Sequence, residues 1–194
     1  MSKTRLALFA SGNGSNALNI IDHFSGHPSV EIAFVLSNKI DAPIIANSKA
    51  KKVMAIYCTN DQVSDGAYLI SLCKENAVDY IILAGYLRLI PKELIQFYNE
   101  RIFNIHPSLL PKYGGHGMYG DFVHHAVINS KETESGISIH YVDECFDRGR
   151  MIAQFYCTVE QTDTLASLKR KIQYLEHSYF PIVIEKTILS LSHV

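Results

Sequence analysis

Asn104 and His106 stand two residues apart, and Pro107 follows at once. On an extended chain such residues project to the same face. Pro107 and Pro111 then force the chain out of regular structure. An amide donor beside a titratable ring, at the carboxyl end of a strand, suits a reaction that develops negative charge on an oxygen. By residue type alone, Asn104–Pro111 also reads as a strand edge entering a Pro-bounded loop, with His106 merely capping it. Asp147, in Asp147-Arg148-Gly149, is the third ingredient. A carboxylate near an imidazole sets its tautomer and raises its pKa, although a loop carboxylate is ordinarily solvated. His140 is a second candidate partner, or else a satisfied strand histidine. Glu176, in Glu176-His177, reads by itself as a surface carboxylate on a helix.

A different chemistry is suggested by Gly12-Asn13-Gly14-Ser15-Asn16, which joins an apolar run to a helical pattern. Glycines let the backbone approach an anion, and a helix N-terminus offers unpaired N–H groups and a favourable dipole. The run lacks the third glycine of GxGxxG and the Lys-Ser/Thr of a P-loop. A single phosphate group therefore fits better than a dinucleotide or a nucleoside triphosphate. The ordinary alternative is a tight turn capped by Ser15 or Asn16.

The elements that hold these groups alternate strand and helix. Apolar strands are expected at 5–10, 31–36, 53–57, 79–83 and 101–104. Helices are expected between them, including one from Pro43 to about Ala50, one at 66–76 capped by Ser64-Asp65, and one from Pro91 to about Tyr98. Strands apolar throughout point to a parallel sheet covered on both faces. The expected fold is α/β and Rossmann-like, with first strands ordered 3-2-1-4. Ligands of such sheets sit beyond the carboxyl ends of the strands, so Gly12–Asn16, Gly85–Ile90 and Asn104–Pro111 are expected at one crevice. Residues 112–121 hold four glycines and must be mobile or tightly turned. A helix at 122–129 precedes an antiparallel strand pair, 136–142 and 151–159. A long helix, 164–191, carries Pro181, expected to kink or split it. No linker or repeat is visible, so one domain over 1–194 is expected.

Composition removes several classes. Of 194 residues, 47% are hydrophobic and the net charge is −1, so no global field advertises nucleic acid or anionic membrane. The four cysteines are scattered, which fits a reducing cytoplasm. Leu6–Ala10 is too short for a signal peptide's apolar region, and no stretch reaches transmembrane length. The nine histidines form no HExxH or Cys/His cluster, so no metal is expected. The expected location is the cytoplasm.

Four runs occur in order: Ser11–Asn16, Leu83–Ile90, Asn104–Tyr113 and His140–Gly149. Together they resemble the folate-dependent phosphoribosylglycinamide formyltransferase family, over about Leu6 to Glu185. That resemblance implies formyl transfer from 10-formyltetrahydrofolate to glycinamide ribonucleotide in de novo purine synthesis. It implies Asn104, His106 and Asp147 as the catalytic three. The nucleotide would be held by the backbone of Gly12, Asn13, Gly14 and Ser15 at its phosphate, by Glu176 at its ribose, and by Gly85 and Pro107. The folate would meet Leu87, Arg88, Leu89, Ile90, Asn104, His140, Asp143, Glu144 and Asp147. The expected partners are these small molecules, with no metal, nucleic acid or membrane, and the expected state is a monomer or weak homodimer. The loop after Tyr113 departs from the shorter Pro-Gly-Leu-His-Thr-His of many members, leaving His116, His124 and His125 without a role. An arginine common near the start of the 66–76 helix is also absent. Formyltetrahydrofolate deformylase and a non-catalytic nucleotide-binding module are the competing readings. The latter would not need Asn104, His106 and Asp147 together.

Overall fold

A computed structural model describes residues 3–191, and the chain divides into two compact units, Met1–Phe103 and Asn104–Val194. The last residues of the span expected for one domain, 192–194, lie outside the described residues, as do the first two.

The first unit starts from β1 (Thr4–Phe9), whose Leu6, Ala7, Leu8 and Phe9 are wholly buried. It pairs in parallel with β2 (Val30–Ser37) on one side and β4 (Tyr80–Leu83) on the other. β2 pairs in parallel with β3 (Ala55–Tyr57). Strands covered on both faces have no polar face to show, so their sequences run apolar rather than alternate. The connecting helices are α1 (Ser15–His23), α2 (Pro43–Ala50), α3 (Asn60–Ser64), α4 (Gly66–Glu75) and α5 (Lys92–Phe97). α3 is absent from the expectation. Its signal was nevertheless present: Thr59 and Gln62 form a reciprocal capping box. Asp65 alone caps α4, accepting from Tyr68 N at 3.0 Å, so Ser64 belongs to the previous helix.

β5 (Ile102–His106) runs two residues further than expected and carries both Asn104 and His106. The second unit continues with α6 (Asp121–Asn129), β6 (Glu134–Tyr141), β7 (Met151–Thr158) and α7 (Leu165–Leu191). β6 and β7 pair antiparallel, with an irregularity between Ile139 and His140. The seven strands form one sheet in the order β3-β2-β1-β4-β5-β6-β7, a mostly parallel, Rossmann-like arrangement. α7 is a single helix through Pro181, not two. Phe180 and Ile184 are fully buried on either side of the proline, and that burial holds the axis through one lost hydrogen bond.

Candidate functional site

β5 delivers Asn104 half-buried and His106 almost fully buried. The chain following β6 brings Asp147 back to them. His106 Nδ1 lies 3.4 Å from Asp147 Oδ2, and Asn104 Nδ2 lies 3.4 Å from Asp147 Oδ1. The three residues that the sequence singles out are thus one cluster within the second unit. His140 joins them: its Nε2 is 3.2 Å from Asn104 Nδ2 and 3.6 Å from Asp147 Oδ1.

Local backbone explains how Asp147 arrives. It adopts φ 55°, a left-handed conformation that a short polar side chain tolerates. Gly149 follows where any Cβ would run into the Tyr141 carbonyl oxygen, so glycine is required for the return into β7. Asp143 Oδ1 accepts from Cys145 N at 2.9 Å and tightens the same loop. Asp143 and Glu144 are exposed beside it.

The glycine-rich segment is tightly turned. Tyr113, Gly115, Gly117 and Gly120 all have positive φ. Its first turn holds two members of the cluster: His106 Nε2–H donates to the Tyr113 carbonyl at 2.8 Å, and Gly115 N–H donates to Asp147 Oδ2 at 2.9 Å. Nothing in the sequence marks these backbone groups. Ser138 and Gln154 were missed as well. Ser138 Oγ donates to Ser108 O at 2.6 Å and accepts from Leu110 N and Gln154 Nε2, while Gln154 also donates to Leu110 O at 3.0 Å. Together they pin the turn after His106 to β6 and β7.

Charge in the cluster is set by burial against neighbours. Burial pushes the His106 ring below its ordinary value, and the Asp147 charge and the Tyr113 hydrogen bond recover only part of the drop. The resting imidazole is therefore neutral at pH 7, with its proton on Nε2. Asp147 does raise the ring, as a carboxylate beside an imidazole should, but burial outweighs it. Burial also pushes the Asp147 carboxyl up, but the His106 ring and the Gly115 N–H hold it below the usual carboxylate range, while His140 Nε2, at 3.6 Å, lies beyond hydrogen-bond reach. An ionised carboxylate, a neutral imidazole that can take a proton on Nδ1, and an amide donor can stabilise an oxyanion and move a proton.

In the first unit, Gly14 caps α1 with φ 69°, and no side chain caps the helix. The alternative of a Ser15 or Asn16 cap does not hold. A Cβ on Gly14 would come within 2.5 Å of Ile44. Gly12 and Asn13 are exposed. Ser11 joins this turn to the segment after β4: Ser11 N donates to Gly85 O at 3.1 Å, and Ser11 Oγ accepts from Leu87 N at 3.1 Å. Gly85, Leu87, Arg88 and Leu89 are exposed, whereas the Ile90 side chain is buried. In the second unit, Pro107 and Glu176 are half-buried. Among the described residues, no group of three His, Cys, Asp or Glu side chains could hold a metal ion, and no helix is long and apolar enough to cross a membrane.

The family model described as formyl transferase matches residues 4–184. The chain belongs to the formyl transferase family. It is 38% identical over 188 residues to a chloroplastic phosphoribosylglycinamide formyltransferase of Arabidopsis thaliana, covering 94% of this chain and 64% of the relative. A second plant relative, from Vigna unguiculata, is covered over 60% of its length, so the chain spans under two thirds of both plant proteins. The phosphoribosylglycinamide formyltransferase of Bacillus subtilis (strain 168) is 34% identical, with 97% of this chain and 96% of that protein covered. The crystal structure of phosphoribosylglycinamide formyltransferase from Bacillus Halodurans superposes with a TM-score of 0.85 at 34% identity over 95% of each chain.

Proposed function

We propose that this formyl transferase moves the formyl group of 10-formyltetrahydrofolate to the amine of glycinamide ribonucleotide. The products are formylglycinamide ribonucleotide and tetrahydrofolate, in de novo purine synthesis. The observation that carries the reading is the Asn104–His106–Asp147 cluster in a chain of this family. The amine nitrogen attacks the formyl carbon, and the carbonyl oxygen becomes an oxyanion. Asn104 donates to that oxygen, and the His106 ring, whose Nε2–H stays on the Tyr113 carbonyl, stabilises it by taking a proton on Nδ1 beside Asp147. The Asp147 carboxylate, acting through water, takes the proton of the attacking amine. Asp147 passes that proton to His106 Nδ1, and collapse breaks the bond to the folate nitrogen, which leaves with it, so that the ring and the carboxylate return to their resting states. The scheme needs positioning, charge stabilisation and proton movement, and routes no step through a metal.

For the first unit, the reading assigns the nucleotide phosphate to the Gly12–Ser15 backbone, with Gly85 beside it, and the folate to Leu87–Ile90. For the second, it assigns the ribose to Glu176, the nucleotide edge to Pro107, and the pterin to the Asp143–Asp147 loop. We read residues 1–194 as one formyltransferase domain, cytoplasmic and monomeric or weakly dimeric. The test is an absorbance assay of 10-formyltetrahydrofolate with and without glycinamide ribonucleotide. Formyl loss that requires the nucleotide is expected. Loss without it would make the protein a deformylase, and no loss at all would leave a binding module.

A further inference from the structure

His140 is almost fully buried, with 2% of its surface exposed, at the end of β6. Its Nδ1 lies 2.8 Å from the carbonyl oxygen of Tyr141. A carbonyl only accepts, so Nδ1 carries a proton. The other ring nitrogen, Nε2, faces Asn104 Nδ2 at 3.2 Å. An amide nitrogen only donates, so Nε2 must offer its lone pair. Turning the amide over does not help. It would bring Asn104 Oδ1 to the position 3.4 Å from Asp147 Oδ1, with two acceptors facing each other. Nor does a proton on Nε2 gain a partner in Asp147, because 3.6 Å is too long for that bond. One arrangement satisfies every group: neutral His140 protonated on Nδ1, accepting one hydrogen of the Asn104 amide, while the other hydrogen points along the long contact to Asp147.

We propose that His140 is a positioning residue, which fixes the orientation of the Asn104 amide by accepting one of its hydrogens and leaves the other for the oxyanion. The inference rests on the formyl-transfer reading and deepens it. The amide has two hydrogens. The bond to His140, at 3.2 Å, is kept through the reaction, and the weaker 3.4 Å contact to Asp147 is the one an incoming oxyanion replaces. Without His140 the amide loses the acceptor that fixes it, and its oxygen can turn toward the developing negative charge. The Tyr141 carbonyl completes the device, because it selects the tautomer that makes His140 an acceptor.

The experiment uses the whole chain and two substitutions. His140→Leu removes the acceptor and fills the buried position with an apolar side chain. His140→Gln supplies a side-chain oxygen in its place. His140→Leu is expected to lower kcat by about 10- to 100-fold, with the KM for 10-formyltetrahydrofolate within a few-fold of wild type. His140→Gln should recover much of the loss. In an Asn104→Ala background, His140→Leu should cost little more, since the group it orients is gone. Equal losses in both backgrounds, or a loss confined to the folate KM, would overturn the proposal. If His140→Leu does not fold, nitrogen-15 NMR of the histidines in the wild-type chain decides. A proton on Nδ1 of His140 is expected, and a proton on Nε2 overturns the proposal. That spectrum involves no turnover. A wild-type chain that transfers no formyl group would therefore defeat the functional reading while the tautomer still judges the assignment of His140.

Discussion

At the residue scale, the site is a competition between burial and charge. His106 is almost fully buried, and burial disfavours its charged form more strongly than Asp147 favours it. The imidazole therefore rests neutral, and in the proposed reaction it becomes charged only as negative charge appears on the substrate. Asp147→Asn tests this. Asparagine retains an oxygen for the Gly115 N–H, so the loop geometry has no reason to change. What disappears is the charge that lifts the His106 ring. Turnover should fall by about 10²–10⁴-fold, the range of a lost acid–base group. The His106 titration followed by NMR should move to lower pH than in wild type. A titration that stays in place, or moves up, would show that Asp147 does not act on this ring.

At the scale of elements, the strand-to-loop junctions do the positioning, and their legibility varied with their physics. The apolar strands of the first unit were readable because strands covered on both faces leave an unbroken apolar run. Pro43 marked α2 and Asp65 marked α4 because each satisfies a helix start locally. The five-residue α3 was missed for want of an apolar stripe, although Thr59 and Gln62 announced its cap. Asn104 and His106 were legible from their types and spacing, but the family resemblance was needed to join Asp147 to them across forty residues of chain. The Tyr113 carbonyl and the Gly115 N–H could not be read at all, since any residue supplies a backbone group. The Gly14 turn was legible as a strand-to-helix turn that needs glycine, because only glycine suits φ 69° against Ile44. With the phosphate assigned to this turn, Gly14→Ala should act on nucleotide binding rather than on chemistry. Its left-handed backbone costs about 1–2 kcal/mol with a Cβ present, and Ile44 leaves no room for one. The expected result is a KM for glycinamide ribonucleotide raised by about tenfold or more, with kcat within a few-fold of wild type. A fall in kcat alone, with the nucleotide KM unchanged, would remove Gly14 from the phosphate site.

At the scale of the whole molecule, buried histidines tie stability to pH. Burial lowers the pKa of His106, His124 and His177 below the ordinary histidine value. For His124, Asp121 opposes that drop, while Lys169, His106 and His125 add to it. Its Nδ1 is buried with no hydrogen-bond partner, so protonation there would gain no bond to offset the lost solvation. The sign follows from proton counting. Between the folded and unfolded pKa values of such a group, the unfolded chain binds more protons than the folded one, so stability rises with pH. Stability is complete above the unfolded value, about 6.5, and declines as pH falls through that value toward the depressed folded one. Asp147, also depressed, adds a loss in the same direction at lower pH, below the ordinary carboxylate value. Urea midpoints should therefore drop steadily from about pH 7 to pH 5, before most carboxylates titrate. Replacing one of the three histidines with a side chain that does not titrate should flatten the slope. His124→Gln is the cleanest choice, because His124 lies outside the Asn104–His106–Asp147 cluster. Its stability at pH 5 should come closer to its own value at pH 7 than wild type's does. If the variant and wild type lose stability in parallel over that window, the acid sensitivity comes from somewhere other than His124.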